Sequence, residues 1–286
     1  MQQIAELFFD KTGQKALGIE ILGGMTNVNY LVKTAQKSYV LRVSGPRSHL
    51  IIDRQNEEFF NSLACEEGLN VPVVYFDAKT GLKISEFLQK ALTLNEEICH
   101  KYSPLIAKKL KAMHAIKPQS DQAKHCFRPF SQIDLYLLQD KEGAAQKFSS
   151  FKKALSLFRD LEQEIGEINL KTQGQKELKA LCHNDLVPQN ILHDDGRVFI
   201  IDWEYAGLND PYFDLASVFV ESSFSKEQEQ EFLGFYEANE AEISKIELYK
   251  STQDILWAAW AFAKPQDADY DDYAAARLEA ALKRHG

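Results

Sequence analysis

Residues 180–207 read ALCHNDLVPQNILHDDGRVFIIDWEYAG. Two short apolar runs, ILH and RVFIID, flank Asp195-Gly196, and an Asp-Gly pair between such runs is a strong local signal of a tight β-hairpin. Ahead of the hairpin lies a polar loop with His183, Asn184, Asp185 and Asn190, and behind it comes Asp202, which the hairpin returns to the loop's neighbourhood. Phosphoryl transfer needs a carboxylate to orient or deprotonate the attacking hydroxyl, and oxygen ligands that hold Mg2+ against the phosphates. Asp185, Asn190 and Asp202 supply that set, because Mg2+ keeps several waters and takes further ligands from phosphate oxygens.

Upstream, LGIEIL, NYLVKT, SYVLRV, VPVVYFDA and LKISEF alternate with Gly, Asn and Pro punctuation, with a turn at Lys79-Thr80-Gly81 before the last. Such β-branched and aromatic runs predict a small antiparallel sheet. One helix interrupts it, from about Ile52 to Glu67, with Phe59, Phe60, Leu63 and Ala64 at helical spacing and Gly68 as its stop. From Thr93 the pattern changes to long amphipathic helices: Ile106, Leu110 and Met113, then stretches near 147–168, 226–239 and 241–263. The switch near Gln89 divides the chain into an N-terminal sheet lobe, 1–88, and a helical lobe, 89–286, in which the polar loop sits.

Composition bounds the function. The 286 residues include 42 acidic and 33 basic side chains for a formal charge of −9, which argues against nucleic acid as a partner. The four cysteines form no C-x-x-C pair or metal-ligand spacing, so a reducing cytoplasm is expected. MQQIAELFFDKTG reaches Glu6 without a basic segment before an apolar run, which predicts no secretory signal. Ile255–Ala263, the longest strongly apolar run, is half of a membrane crossing, so no insertion is expected.

The motif H-N-D-x-x-x-x-N-I-L followed by I-D-W-E-Y resembles the signature of the choline/ethanolamine kinase family, within the wider group that includes aminoglycoside phosphotransferases. The resemblance runs from Gly23 to Arg277 and implies an α+β, protein-kinase-like two-lobe fold, with 1–88 as the nucleotide-binding lobe. ATP and Mg2+ would be the cofactors and choline or a related amino alcohol the substrate, with Asp185 as catalytic base and Asn190 and Asp202 as metal ligands. Gly23-Gly24-Met25-Thr26-Asn27, by itself readable as a hairpin turn, is similar to the family's phosphate loop. There Gly24 lets the backbone approach phosphates, and Thr26 and Asn27 offer donors. Arg42 would face the α- and β-phosphates, paired with Glu57, although Glu58 is adjacent. Glu86, Phe87 and Leu88 resemble the hinge that meets adenine through backbone groups. His183 would brace the loop, and Asp214 would hydrogen-bond its backbone.

The acceptor is read near the C-terminus. Trp257 and Trp260 share a helix face in DILWAAWAFA, and ADYDDYAAARLEA follows. With Tyr270 and Tyr273 they resemble the aromatic pocket for trimethylammonium in choline kinases. Glu221 stands where the family has a glutamate near the ammonium, and Tyr212 and Phe213 are possible further walls, with packing the favoured reading. Ser222 follows Glu221 where eukaryotic members commonly carry Trp, and the compact length is closer to bacterial choline kinases. Ethanolamine, thiamine or an aminoglycoside remain alternative acceptors, the last kept open by Asp267, Asp269, Asp271 and Asp272. A nucleotide-binding pseudokinase is the non-enzyme alternative, and the oligomeric state is left open.

Overall fold

Each of the five extended segments becomes a strand. β1 (Gly18–Gly23), β2 (Val28–Lys33), β3 (Ser38–Val43), β4 (Val73–Asp77) and β5 (Leu82–Glu86) form one antiparallel sheet in the order β1-β2-β3-β5-β4. The computed structural model describes residues 1–24, 26–46, 48–117, 125–140, 143–173, 179–264 and 268–285. Met25 of the glycine loop and Asp267 of the acidic tail therefore lie outside the described residues. The chain divides into two units, Met1–Ile98 with Pro188–Ala206, and Cys99–Val187 with Gly207–Gly286.

In the first unit, strand alternation puts Tyr39 and Leu41 into a core with Val32, Leu82 and Ile84, while Arg42 of β3 lies directly opposite Lys83 of β5. Helix α1 (Gln2–Thr12), which the sequence reading leaves out, adds the fully buried Phe8 to that core, its ring 5.4 Å from Tyr39. Its N-cap, Met1, makes no side-chain bond, so the usual start signal is missing. Helix α2 (Arg54–Glu66) begins where the Asp53 carboxylate accepts the Gln55 and Asn56 N–H groups at 3.0 and 3.1 Å, and the chain leaves it through Gly68 at φ 64°. It buries Glu57, Phe60, Asn61 and Ala64 on one face.

Short strand β6 (Leu92–Thr93) pairs with β8 (Ile191–Asp194), which pairs with β9 (Arg197–Ile200). Asp194 lies opposite Arg197, and Asp195 and Gly196 between them take φ values of 47° and 74°, the left-handed pair a two-residue hairpin turn requires. The Ile200 N–H donates to the Leu69 carbonyl at 2.8 Å, tying the hairpin into this unit although it follows Gln89 by a hundred positions. A short turn, α3 (Glu96–Cys99), ends the segment.

The second unit is helical: α4 (Ser103–Ala115), α5 (Pro129–Gln139), α6 (Ser149–Gln173), α7 (Pro211–Glu221), α8 (Lys226–Tyr236), α9 (Ser244–Phe262) and α10 (Ala268–Arg284). Strands β7 (Ala180–Cys182) and β10 (Gly207–Asn209) pair beside them. Helix α9 packs against α5, α6, α7 and α10 and is buried almost all round, as is α7; an apolar stripe is then invisible in the sequence. Among the described residues, no helix is long and apolar enough to cross a membrane.

Candidate active site

In the first unit the site begins at the glycine loop. Gly24 sits at φ 139°, where an added Cβ would collide with the Asn27 carbonyl and lie 2.9 Å from Asn29 Nδ2, so the turn admits only glycine. Asn27 is buried, and its amide donates to Glu204 Oε1 at 2.5 Å while its Oδ1 accepts from the Gly45 N–H at 3.4 Å. The expectation that Asn27 presents a donor to phosphate is therefore corrected: its amide fastens the loop to the segment after β9.

Arg42 is 3 % exposed and its Nη1 meets Glu57 Oε1 at 2.6 Å, Glu204 Oε1 at 2.9 Å and Asp202 Oδ1 at 3.3 Å, while Nη2 donates to the Gly81 carbonyl at 3.0 Å. Glu57 is the buried partner; Glu58 is exposed. Arg54 adds a second guanidinium, 2.5 Å from Glu57 and 3.1 Å from Glu204, and Lys83 a third cation 3.8 Å from Glu57. Three cations thus face three carboxylates. Burial lowers the affinity of Arg42 for its proton, but the charges of Glu57, Glu204 and Asp202 outweigh it and raise its pKa. Burial pushes Glu57 up, yet Arg42 and Lys83 hold it below the usual carboxylate range. Burial and the Asp202 charge push Glu204 up against Arg42, and burial and the Arg42 charge lower Lys83.

Asp202 is the exposed member of the cluster, its side chain 40 % accessible, on a backbone at φ 66°. The Ile201 N–H donates to the Asn190 carbonyl at 2.9 Å, which sets the Asn190 backbone beside the residue preceding Asp202. At the hinge, the Glu86 N–H donates to the Pro72 carbonyl and the Phe87 N–H to Ser38, at 2.8 and 2.9 Å, and the Glu86 carboxylate pairs with Lys37.

In the second unit, Asp214 near the start of α7 is fully buried and accepts the His183 N–H at 2.9 Å and the Asn184 N–H at 2.8 Å. Ser217, one turn on, accepts the Leu186 N–H at 3.1 Å. Asn184 holds φ 68° with its Oδ1 accepting from Asn209 at 2.8 Å, and His183 Nδ1 accepts the Asp185 N–H at 3.3 Å. Asp185 is half-buried at the end of this pinned loop. His114 of α4 lies 3.1 Å from Asp214 and 2.8 Å from the Tyr236 hydroxyl.

The aromatic residues also converge within this unit. The Trp260 ring lies 6.3 Å from Trp257, 5.9 Å from Tyr270 and 6.1 Å from Tyr273. Arg277 joins Glu221 to the cluster: its guanidinium is 2.7 Å from Glu221 and 3.0 Å from Asp254, and lies 4.9 Å over the Tyr273 ring. Burial disfavours the Arg277 charge, but Glu221 and Tyr273 more than restore it. Tyr212 and Phe213 are packing residues, not walls: the Tyr212 hydroxyl accepts the Asn239 N–H at 2.9 Å, and Phe213 stacks on Phe127 and Tyr249 at 5.7 and 5.5 Å.

Sequence reading missed Glu204, Arg54, Lys83, Ser217, His114 and Arg277. Glu204 stands inside the quoted I-D-W-E-Y motif, so its place beside Asp202 was a usable signal; the others have none.

The first unit thus holds a carboxylate-fixed arginine and a glycine loop, the second an Asp-bearing loop clamped by a buried aspartate, and the fold is protein-kinase-like, that of a small-molecule kinase. The family model for choline/ethanolamine kinase matches residues 19–247, and the chain belongs to that family. Protein LicA of Haemophilus influenzae is 32 % identical over 271 residues, covering 91 % of this chain and 98 % of its own. The crystal structure of choline kinase LicA from Streptococcus pneumoniae superposes with a TM-score of 0.85 at 30 % identity, covering 99 % of this chain and 97 % of its own. A LicA structure in complex with AMP gives the same TM-score at 31 % identity, covering 99 % and 96 %.

Proposed function

We propose that this chain transfers the γ-phosphoryl group of ATP to the hydroxyl of choline. The observation that carries the choice of acceptor is the convergence of Trp257, Tyr270 and Tyr273 on Trp260. A quaternary ammonium donates no conventional hydrogen bond and is recognised by ring faces and charge, each face contributing about 0.5–2 kcal/mol. The carboxylates nearby favour choline over ethanolamine. Glu221 Oε2 and both Asp254 oxygens are taken by Arg277 and Arg284, which leaves a primary ammonium few acceptors. An aminoglycoside, a polycation, would need more free carboxylates, and Asp271 is paired with Lys147 at 3.2 Å.

The residues divide the work. Arg42, fixed by Glu57 and Glu204, offers the triphosphate a preorganised cation whose ordering is complete before ATP arrives. Lys83, opposite it on β5, adds positive potential. The donor set of Asn190 and Asp202, an amide oxygen and an accessible carboxylate, fits Mg2+, which when bound would neutralise charge developing on the phosphates. Asp185 accepts the proton of the choline hydroxyl. Asp214, Ser217 and His183 hold the loop that carries it. ATP and Mg2+ are plentiful in the cytoplasm, where four free cysteines are at home.

The test is ADP release with ATP, Mg2+ and a panel of choline, ethanolamine, thiamine and an aminoglycoside. Turnover should be fastest with choline at subsaturating acceptor; a panel led by another acceptor would replace choline, and no turnover on any acceptor would leave the pseudokinase. Trp260→Leu, which keeps apolar volume and removes the ring, should raise the choline KM about tenfold, the loss of roughly 1–2 kcal/mol of cation–ring contact. An unmoved KM would return the tryptophans to the core.

A further inference from the structure

The face of Trp260 already carries a cation of the protein's own. Lys264, two residues past the end of α9, places its Nζ 4.2 Å from the centroid of the Trp260 ring. That is within the roughly 6 Å at which an ammonium is held by an indole. Trp260 is the ring on which Trp257, Tyr270 and Tyr273 converge.

We propose that Lys264 is an affinity-setting residue, a tethered competitor whose ammonium occupies the Trp260 face that the acceptor's cation must take. This rests on reading the aromatic cluster as the acceptor's seat. Because the lysine is on the same chain, it competes at a fixed effective concentration, and every cationic acceptor must displace it. Displacement weakens binding of the acceptor without touching the transferring phosphoryl group, so its signature is in KM and not in kcat. A lysine ammonium is compact and strongly hydrated, so a less hydrated trimethylammonium competes with it favourably for the ring face. The contact therefore keeps the ring face covered while the seat is empty and yields it to choline. Arg277 differs from Lys264: its guanidinium is locked between Glu221 and Asp254, so it lines the seat and does not vacate it.

The experiment uses the whole chain and the indole N–H resonances, which number three, from Trp203, Trp257 and Trp260. Choline and tetramethylammonium are titrated into the wild type, Lys264→Met and Lys264→Arg, and choline KM and kcat are measured on each. Lys264→Met should lower the dissociation constants of both cations and the choline KM about fivefold, the weight of one displaced cation–ring contact, with kcat unchanged. Lys264→Arg, which keeps a cation able to stack, should stay near the wild type. In a Trp260→Leu background the Lys264→Met effect should vanish; a through-space repulsion would persist there and would overturn the competition. Equal dissociation constants in wild type and Lys264→Met would overturn it too. If both cations move the Trp260 resonance as described but choline supports no ADP release, the competitor stands and the choline reading falls. If neither cation moves an indole resonance in any variant, the seat itself is wrong and both fall.

Discussion

Asp185→Asn is expected to lower kcat by about 10²–10⁴-fold, the range a positioned general base contributes, with little change in the KM for ATP. The substitution is chosen for what it leaves intact. The neighbouring backbone is held by groups other than the Asp185 carboxylate: Asp214 accepts the His183 and Asn184 N–H groups, Ser217 accepts that of Leu186, and His183 Nδ1 accepts that of Asp185. The loop should therefore keep its course, and the melting temperature should move little. An amide can still orient a hydroxyl but cannot take its proton. The loss should fall on kcat and kcat/KM alike, as for an interaction made in the transition state. Steady-state ADP release at saturating choline and ATP measures it, and a variant within tenfold of wild-type kcat would remove the base from the mechanism.

How legible these parts were depends on the range over which each is encoded. The β8–β9 hairpin was readable because its turn chemistry is local, two residues that both tolerate positive φ. The five strands and α2 were readable for the same reason, through alternation and punctuation. Helix α7 gave no periodic signal because all its faces are covered, and α1 lacked a start signal because its N-cap, Met1, makes no side-chain bond. In the site, motif residues came through and their partners did not. Glu204 meets Arg54 across 150 positions and Arg42 across 162; no spacing rule reaches that far. Asn27 was misassigned because an asparagine in a glycine loop looks the same in sequence whether its amide faces a ligand or a buried glutamate. Lys264 is one lysine at a helix end until the fold lays it on Trp260.

The buried cluster around Arg42 yields the largest expected effect on stability. Glu57→Gln should lower stability by about 3–5 kcal/mol, since removing one partner of a buried pair strands the charges left behind. In melting temperature that is about 10 °C for a chain of this size. Glu57 has no exposure and faces Arg42 at 2.6 Å, Arg54 at 2.5 Å and Lys83 at 3.8 Å, so its loss leaves three cations to two carboxylates, Asp202 and Glu204. Glu204→Gln should cost less, although Glu204 touches both arginines. Burial and the Asp202 charge push its carboxyl up, against Arg42, so its ionised form is already the strained one, whereas the cations around Glu57 hold its carboxyl down despite burial. The pH dependence follows with a definite sign. A carboxyl whose folded pKa lies below its unfolded value near 4.5 stabilises the fold above that pH, and the contribution is lost as pH falls through the lower folded value. Wild type should therefore lose stability on acidification below about pH 4.5 more steeply than Glu57→Gln, in which that carboxyl is gone. Function separates the two variants further. Glu57→Gln frees Arg42 from its closest anion and should raise the KM for ATP, because the guanidinium must then be ordered by the triphosphate itself. Denaturant melts of both variants at pH 7 and pH 4 give the ranking directly; a Glu204→Gln protein less stable than Glu57→Gln would mean that Glu204, and not Glu57, is the anion that holds Arg42 in place.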